Sequence, residues 1–263
     1  MSNPPFPYRT AVVTGASSGV GHALCLALDR LGIERLVLVA RRQELLEELA
    51  TTLRCDTTIC CADITKDTGI AAVATYLPEA DLLVNNAGVG SFGPFSSAPT
   101  EQQVDIVKLN CNAPVHLTSL ALPMMVERAH GCVVNIASGM SFQPMPYMST
   151  YAASKAFLLH WAEGVSAELK STGVRCVTIC PGTIHTGFAA ASDVPLDALP
   201  GVGLVTCSLD SVVDTVLAAI QSNKTVAIPG LGNRMATFSA RLFPRALIRW
   251  LMAVVLGRAY GAN

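Results

Sequence analysis

Residues 11–21, AVVTGASSGVG, join a predicted strand to a predicted helix. The apolar run 11–13 predicts a buried strand, and a helical pattern follows from Val20 to Leu31, where Gly32 ends it. Glycines at positions 15, 19 and 21 allow a tight turn, and the helix N-terminus presents free N–H groups with partial positive charge. The spacing Gly-x3-Gly-x-Gly differs from GxGxxG, but its place between strand and helix predicts a pyrophosphate site.

Strand and helix patterns alternate along the rest of the chain. Strands are predicted at 36–40, 58–61, 81–84, 132–137, 174–180 and 225–228, with helices at 43–53, 69–77, 100–128, 150–169 and 210–221. Pro114 and Pro123 are expected to disturb the longest helix. This alternation predicts an α/β fold, a Rossmann-like doubly wound parallel sheet. Since composition shows no break, residues 1–263 are expected to form one domain, with a core over 8–180 and a helical extension over 230–263.

The composition excludes several classes of protein. Of 263 residues, 51% are hydrophobic and 14% charged, and the formal net charge is -1, so the chain can bury a core and has no global attraction to nucleic acid. Nine cysteines without a CxxC pair indicate reduced, buried thiols, and the scattered histidines form no metal set. No apolar run is long enough to span a membrane and the N-terminus is not a signal peptide, which favours the cytoplasm.

A second set of polar residues lies in the later half of the chain. Tyr151 and Lys155 are four apart in a helical pattern and therefore share a face. An ammonium at that distance favours the phenolate, so we expect it to lower the pKa of the tyrosine. Ser138 follows the strand at 132–137, where α/β ligand sites form, and Asn110 lies in the preceding helix.

These motifs resemble those of the short-chain dehydrogenase/reductase (SDR) family. TGASSGVG at 14–21 is similar to the family's glycine signature, NNAG at 85–88 to its sheet-supporting motif, and PGTIHT at 181–186 to its Pro-Gly motif. Asp63, with Ile64 beside it, matches the position that contacts adenine. The resemblance implies an oxidoreductase that moves a hydride between a nicotinamide and a carbonyl/alcohol pair. It also implies a homodimer or homotetramer.

The resemblance further implies residue roles. Tyr151 would exchange a proton with the substrate oxygen, Ser138 would bond that oxygen, and Lys155 would hold the ribose hydroxyls. Asn110 would position a water that relays protons, and Thr186 would bond the carboxamide. His185 is better explained as a loop residue near the cofactor than as a catalytic base. The implied cofactor-binding residues are Gly15, Ser17, Ser18, Gly19, Val20, Gly21, Arg41, Arg42, Asp63, Ile64, Asn86, Ala87, Gly88, Tyr151, Lys155, Pro181, Gly182, Ile184 and Thr186.

The residues after the second strand predict the choice of cofactor. An acidic residue there bonds the ribose 2′-OH of NAD, whereas arginine favours the 2′-phosphate of NADP. Arg41 and Arg42 occupy these positions, and no acid occurs before Glu44. A guanidinium binds phosphate through paired donors, so NADP(H) is the expected cofactor, preferred over NADH. The family's second NADP mark, a basic residue just before Gly19, is absent because that position is Ser18.

Substrate choice is expected to depend on residues 187–205, a segment rich in Ala, Pro and Gly that is typical of a lid. Because it carries no arginine cluster, the sequence favours an uncharged, hydrophobic ketone, aldehyde or secondary alcohol. Tyr147 and Met148 could line the pocket or simply pack near Tyr151. Other candidates for an apolar wall are Phe92, Phe95, Phe142, Met145 and Phe188.

The C-terminal tail is basic and apolar. It carries no Asp or Glu after Asp214, and Arg234, Arg241, Arg245 and Arg249 share one stripe at helical spacing. Pro244 is expected to start a new helix or kink the old one. One interpretation is a helix on an anionic membrane surface; the other, which the sequence favours, is a lid or subunit-contact helix with a solvated charged face.

Two other functions are compatible with this type of fold. A catalytically silent nucleotide-binding sensor or scaffold would keep the glycine turn, but it would not need Tyr151 with Lys155. An isomerase or epimerase of the extended relatives is disfavoured because those chains are longer, with a larger substrate domain. The leading hypothesis is therefore an NADP-dependent oxidoreductase that uses a tyrosine as general acid and base.

Overall fold

A computed structural model of the protein describes residues 6–184, 202–222 and 224–261. Within these residues one sheet of seven parallel strands has the order β3-β2-β1-β4-β5-β6-β7, which confirms the doubly wound fold. The strands are β1 (Thr10–Thr14), β2 (Arg35–Ala40), β3 (Asp56–Cys61), β4 (Leu82–Asn85), β5 (Gly131–Ile136), β6 (Val174–Ile179) and β7 (Val226–Ala227). The order reverses between β1 and β4, and α/β folds bind ligands at such a switch point.

Helices cover both faces of the sheet. In the described part of the chain they are α1 (Gly19–Arg30), α2 (Gln43–Thr52), α3 (Asp67–Ala74), α4 (Thr100–Val107), α5 (Ala113–Glu127), α6 (Ser149–Glu168), α7 (Val202–Val205), α8 (Leu209–Ile220), α9 (Leu231–Leu242) and α10 (Arg245–Tyr260). None of the described helices is long and apolar enough to cross a membrane.

Two apolar clusters form the core, one on each face of the sheet. Leu24 and Leu28 of α1 pack with Leu36 and Leu38 of β2 on one face. On the other face Leu117 of α5 belongs to a cluster with side chains of β1, β2 and β4. Central strands that are buried on both faces explain the continuous apolar runs in the sequence. All nine cysteines are free thiols, and seven of them are buried.

The helix expected over residues 100–128 is interrupted. A π-helical turn, Lys108–Asn112, separates α4 from α5. Pro114 lies in the first turn of α5, where its missing N–H cannot serve the carbonyl of Asn110, four residues earlier. Pro123 lies inside α5 without ending it. The disturbance is therefore confined to the turn before Pro114, and that turn carries Asn110.

The tail forms two helices, so Pro244 starts a new helix, the first of the two outcomes expected from the sequence. Helix α9 ends at Leu242, two residues before Pro244, and α10 begins at Arg245, directly after the proline. The four arginines expected on one helical stripe are therefore divided, two on each helix. Asn233 fastens α9 to the sheet, because its buried side-chain amide donates to the carbonyl of Cys180, just past β6, at 2.9 Å.

Gly21→Ala tests the packing behind the glycine turn. A Cβ at Gly21 would collide with the carbonyl oxygen of Gly15 and lie 2.5 Å from Nδ2 of Asn86. We expect the free energy of unfolding to fall by about 1–3 kcal/mol, as in other overpacked sites, measured by urea denaturation. The matched control is Gly164→Ala inside α6, where a Cβ meets nothing within 4 Å and should leave stability unchanged or raised. Equal effects at the two sites would contradict this packing.

Candidate active site

A cavity of about 830 Å³ runs along the carboxyl edge of the sheet. At one end it is bounded by the glycine turn, and at the other by α9 and α10. Most residues expected from the sequence line it. These are Gly15, Ser17, Ser18, Gly19, Val20, Arg41, Arg42, Asp63, Ile64, Asn86, Ala87, Gly88, Ser138, Tyr151, Lys155, Pro181, Gly182 and Ile184.

The glycine turn is held by the end of β4. Gly15 and Gly19 have φ of 68° and 58°, which favour glycine. A Cβ at Gly15 would lie 2.8 Å from Nδ2 of Asn86, and that amide donates to the carbonyl of Thr14 at 2.9 Å. The Thr14 hydroxyl accepts the backbone N–H groups of Asn86 and Ala87. The bare backbone at the N-terminus of α1 fits a pyrophosphate, whereas Gly21 lies behind the turn and does not line the cavity.

Arg42 extends across the glycine turn. Its Nη2 donates to the hydroxyls of Ser17 and Ser18, each at 3.0 Å. Arg41 lines the same end of the cavity, and both arginines are exposed. The end of the cavity near the glycine turn therefore presents two guanidinium groups and two hydroxyl groups. This set of donors fits a phosphate, and the contact of Arg42 with the serines could not be deduced from spacing.

Asp63 lies after β3 at the side of this pocket. Its Oδ1 accepts the backbone N–H of Thr65 at 3.1 Å and the Thr65 hydroxyl at 2.7 Å. Burial raises the pKa of Asp63, but the bonds from Thr65 and the charge of Arg41 outweigh it, and the net pKa is lowered. Asp63 is thus an ionised acceptor that lines the cavity beside Ile64.

Tyr151 and Ser138 meet in the wall of the cavity. Ser138 caps the 3₁₀ turn Gly139–Phe142, with its hydroxyl accepting the backbone N–H of Met140. Tyr151 lies in the first turn of α6 and lines the cavity together with Ser138. Burial raises the pKa of Tyr151 to about 12, against a smaller lowering by Ser138. The expected lowering of this pKa by Lys155 is therefore not found: burial dominates, and the opposing contribution comes from Ser138.

Lys155 is buried beneath the tyrosine. Its Nζ donates to the carbonyl of Ile136 at 2.8 Å and lies 6.0 Å from the centroid of the Tyr151 ring. Burial lowers the pKa of Lys155 to about 8. A Cβ at Gly88 would lie 3.2 Å from this Nζ, so the NNAG motif leaves room for the amine at the cavity wall.

Asn110 lies behind the wall and does not line the cavity. The π-helical turn carries it, and its side chain is fully buried. The amide exchanges two hydrogen bonds with the backbone of Val89 and donates to the hydroxyl of Ser154 at 2.9 Å. Asn110 therefore joins the loop after β4 to α6, one residue before Lys155. Neither Ser154 nor the π-helical turn was predicted from the sequence.

The Pro-Gly motif approaches α7 closely. A Cβ at Gly182 would collide with the carbonyl oxygen of Val205. The backbone N–H of Thr183 donates to that same carbonyl, and the carbonyl of Thr183 accepts the backbone N–H of Cys207. Ile184 and Pro181 line the cavity. His185, Thr186 and Phe188 lie outside the described residues, as does the lid expected at 187–205 apart from its last four residues.

The apolar end of the cavity is formed by some of the expected wall residues and by the tail, which the sequence favoured as a lid or subunit-contact helix. Met145 and Met148 line it, but Phe142 packs in a separate cluster and Phe95 is exposed. Phe92 and Tyr147 pack against Tyr260, whose ring stacks on that of Tyr147 with centroids 5.4 Å apart. The missing wall comes from the tail: Asn233, Ala236, Thr237, Ser239, Ala240, Phe243, Ile248, Leu251, Met252, Val255 and Leu256.

Comparison with known proteins identifies the family. Residues 9–195 match the family model described as short chain dehydrogenase. The chain belongs to this family. It is therefore an NAD(P)-dependent oxidoreductase of the SDR type, acting on C=O and CH–OH groups. This assignment confirms the resemblance seen in the sequence motifs.

Several relatives are similar over most of this SDR. A short chain dehydrogenase of Pseudocercospora fijiensis is 33% identical over 194 residues, which are 70% of this chain and only 62% of that relative. A short-chain dehydrogenase of Sphingobium yanoikuyae, solved with NADPH, has a TM-score of 0.80 and 31% identity, covering 91% of this chain and 95% of the other. A bulky-bulky ketone specific alcohol dehydrogenase of Comamonas testosteroni has a TM-score of 0.74 and 27% identity, covering 93% and 94%.

Lys155→Met tests the cost of the buried amine. The pKa is lowered from 10.5 to about 8, so below pH 8 the folded state carries the whole cost of burying the charge. Between pH 8 and 10.5 the folded state releases its proton before the unfolded state does, and wild-type stability rises with pH. The variant should be more stable by roughly 3 kcal/mol at neutral pH, with that gain shrinking as pH rises through this window.

Urea denaturation across this pH range measures the effect. Lys170→Met, which removes an exposed lysine just past α6, is the control and should show no such dependence. A Lys155→Met variant less stable than wild type at neutral pH would show that the amine stabilises the folded chain.

Proposed function

We propose that this SDR catalyses the reversible, NADP-dependent reduction of an uncharged, apolar ketone or aldehyde to its alcohol. The observation that carries the proposal is the placement of Tyr151 and Ser138 together in the wall of one cavity, between the glycine turn and an apolar wall. A proton donor thus lies between a nucleotide-sized cradle and a site for a hydrophobic substrate. A silent sensor would not need this arrangement.

The protein groups divide the work around the substrate oxygen. A bound nicotinamide supplies or accepts the hydride. The Tyr151 hydroxyl gives its proton to the carbonyl oxygen in reduction and takes it back in oxidation, and Ser138 fixes that oxygen by a second hydrogen bond. A pKa of about 12 keeps Tyr151 protonated at neutral pH, as reduction requires.

Lys155 and Asn110 act from behind the tyrosine. The Lys155 amine points to the cavity wall from α6 and would bond the ribose hydroxyls of the bound cofactor. Its charge would favour the phenolate when the alcohol is oxidised. Asn110, held by Val89 and Ser154, keeps the loop after β4 in place and would order a water for proton relay from Lys155.

The preference for NADP is supported by the charge at the end of β2. Arg41 and Arg42 lie at the cavity, and the serines that Arg42 contacts add hydroxyl donors. A 2′-phosphate placed there would form ion pairs and several charge-assisted hydrogen bonds with the guanidinium groups, whereas a ribose hydroxyl carries no charge to pair with them. The similar structure from Sphingobium yanoikuyae binds NADPH.

Arg41→Asp tests this preference. An aspartate repels the 2′-phosphate and can accept a bond from a ribose 2′-OH, so NADPH affinity should fall at least about tenfold and NADH should become the tighter ligand. Titration by nicotinamide fluorescence gives both dissociation constants. Arg30→Asp, at the far end of α1, makes the same charge change away from the cavity and should alter neither. Equal affinity of wild type for NADPH and NADH would refute the role of the arginines.

An apolar substrate is supported by the wall opposite the glycine turn. Met145, Met148, Met252 and Leu256 cluster beside Tyr151. Methionine side chains adapt to irregular apolar shapes, so this wall suits a bulky hydrophobic substituent. The relative from Comamonas testosteroni is specific for bulky-bulky ketones.

Tyr151→Phe tests the proton donor. The variant should bind NADPH normally but reduce ketones at least about 100-fold more slowly, as expected for loss of a general acid. Ketones with two bulky apolar substituents are the substrates to screen, by nicotinamide absorbance. Tyr147→Phe is the matched control, because that phenol packs against Tyr260 and does not line the cavity. If wild type binds NADPH and turns over no ketone, aldehyde or secondary alcohol, the sensor hypothesis replaces this one.

A homodimer or homotetramer is supported by an exposed apolar face on α4, α5 and α6. Val104, Val107, Leu120, Met124 and Phe157 of α4, α5 and α6 are all at least 40% exposed. Such a face on three helices is typical of a contact between subunits. A monomer in sedimentation velocity would contradict this assembly.

A further inference from the structure

Helix α9 turns its apolar face away from the protein. Its buried side chains are the polar Asn233 and Thr237. On the opposite side Leu231, Met235, Phe238 and Leu242 follow one another at helical spacing, with exposed fractions between 61 and 77%. A surface helix normally buries its apolar stripe, so this inverted orientation indicates that something outside the described chain covers it.

Helix α10 also exposes apolar residues. Leu247, Trp250 and Leu251 share one side of this helix and are 46–62% exposed. Arg234, Arg245 and Arg249 are exposed on the same two helices. We call these apolar residues of α9 and α10, with Phe243 between them, the tail face. Its chemistry, apolar and aromatic residues among arginines, is typical of a helix that lies in a lipid interface.

The tail face and the cavity share residues. Phe243 and Leu251 line the cavity and are also 54% and 46% exposed. From there the wall continues inward through Met252 and Leu256 to Tyr151. An apolar path therefore leads from the tail face to the proposed proton donor.

We propose that the tail face docks on an anionic lipid surface and that the enzyme takes its ketone or alcohol substrate from that bilayer. The docking stands on the tail face alone, whereas the substrate route rests on the proposed function. Charge decides between lipid and a second copy of the chain. No Asp or Glu occurs after Asp214, so a symmetric contact between two tails would bring arginines together without acidic partners in either tail. Anionic headgroups supply the missing charge.

Co-sedimentation of the full chain with vesicles tests the docking. We expect binding to vesicles of phosphatidylcholine mixed with phosphatidylglycerol, weak binding to phosphatidylcholine alone, and a decline with added salt. Phe238→Glu should reduce the bound fraction at least about tenfold, because it places a charge in the apolar stripe. The matched control is Leu31→Glu. Leu31 is 41% exposed at the end of α1, on the opposite edge of the sheet, and should not affect binding.

The charge contribution is tested separately. The double variant Arg245→Gln, Arg249→Gln should weaken binding to the anionic vesicles and flatten its salt dependence. Arg30→Gln, on α1, is the control for loss of a surface arginine. In a Trp161→Phe background the emission of Trp250 should shift to the blue when anionic vesicles are added, since indole enters an apolar layer.

Activity distinguishes this proposal from the proposed function. Phe238 does not line the cavity, so Phe238→Glu should reduce a water-soluble ketone as fast as wild type and a ketone dissolved in anionic vesicles far more slowly. No binding to anionic vesicles, or equal binding by wild type and Phe238→Glu, would overturn the docking even with full activity on soluble ketone. Concentration-dependent self-association without lipid, abolished by Phe238→Glu, would assign the tail face to a second copy and also overturn it.

Discussion

The close approach between the turn after β1 and the end of β4 is the constraint on which the nucleotide end of the cavity depends. Asn86 bonds the backbone of Thr14 with its amide, and a Cβ at Gly15 or Gly21 would occupy the space that this amide fills. The strand order reverses at this place, so adjacent crossovers run in opposite directions and leave a crevice. Bare backbone at the start of α1 therefore lines the cavity, with Arg42 closing over it.

The chemical end of the cavity combines buried groups whose pKa values move in opposite directions. Burial disfavours the phenolate of Tyr151 and the ammonium of Lys155 alike, so the tyrosine pKa rises and the lysine pKa falls. A neutral phenol is suited to donate a proton, and an amine near its pKa is suited to pass one on. The stability given up by burying Lys155 is consistent with a site selected for chemistry rather than for stability.

The tail helices α9 and α10 contribute both to the cavity wall and to the exposed tail face. Residues of α9 and α10 complete the cavity, and the same two helices carry the tail face, which shares Phe243 and Leu251 with the cavity wall. Asn233 anchors α9 to the carboxyl end of β6, so polar residues of this helix face inward where a surface helix would normally place apolar ones. The tail is thus both a wall of the proposed substrate site and the surface that meets its surroundings.

The sequence determined the sheet and the glycine turn, because strand periodicity and short motifs are local properties that tertiary packing leaves in place. Most of the residues that its motifs proposed for cofactor and substrate line one cavity. Other features depend on residues distant in the chain. The bonds from Arg42 to Ser17 and Ser18, the placement of Asn110 behind the wall and the high pKa of Tyr151 follow from burial and non-local contacts. The arginine pattern of the tail suggested one helical stripe, but Pro244 divides it, and only the packing of α9 through Asn233 decides which side of that helix is buried.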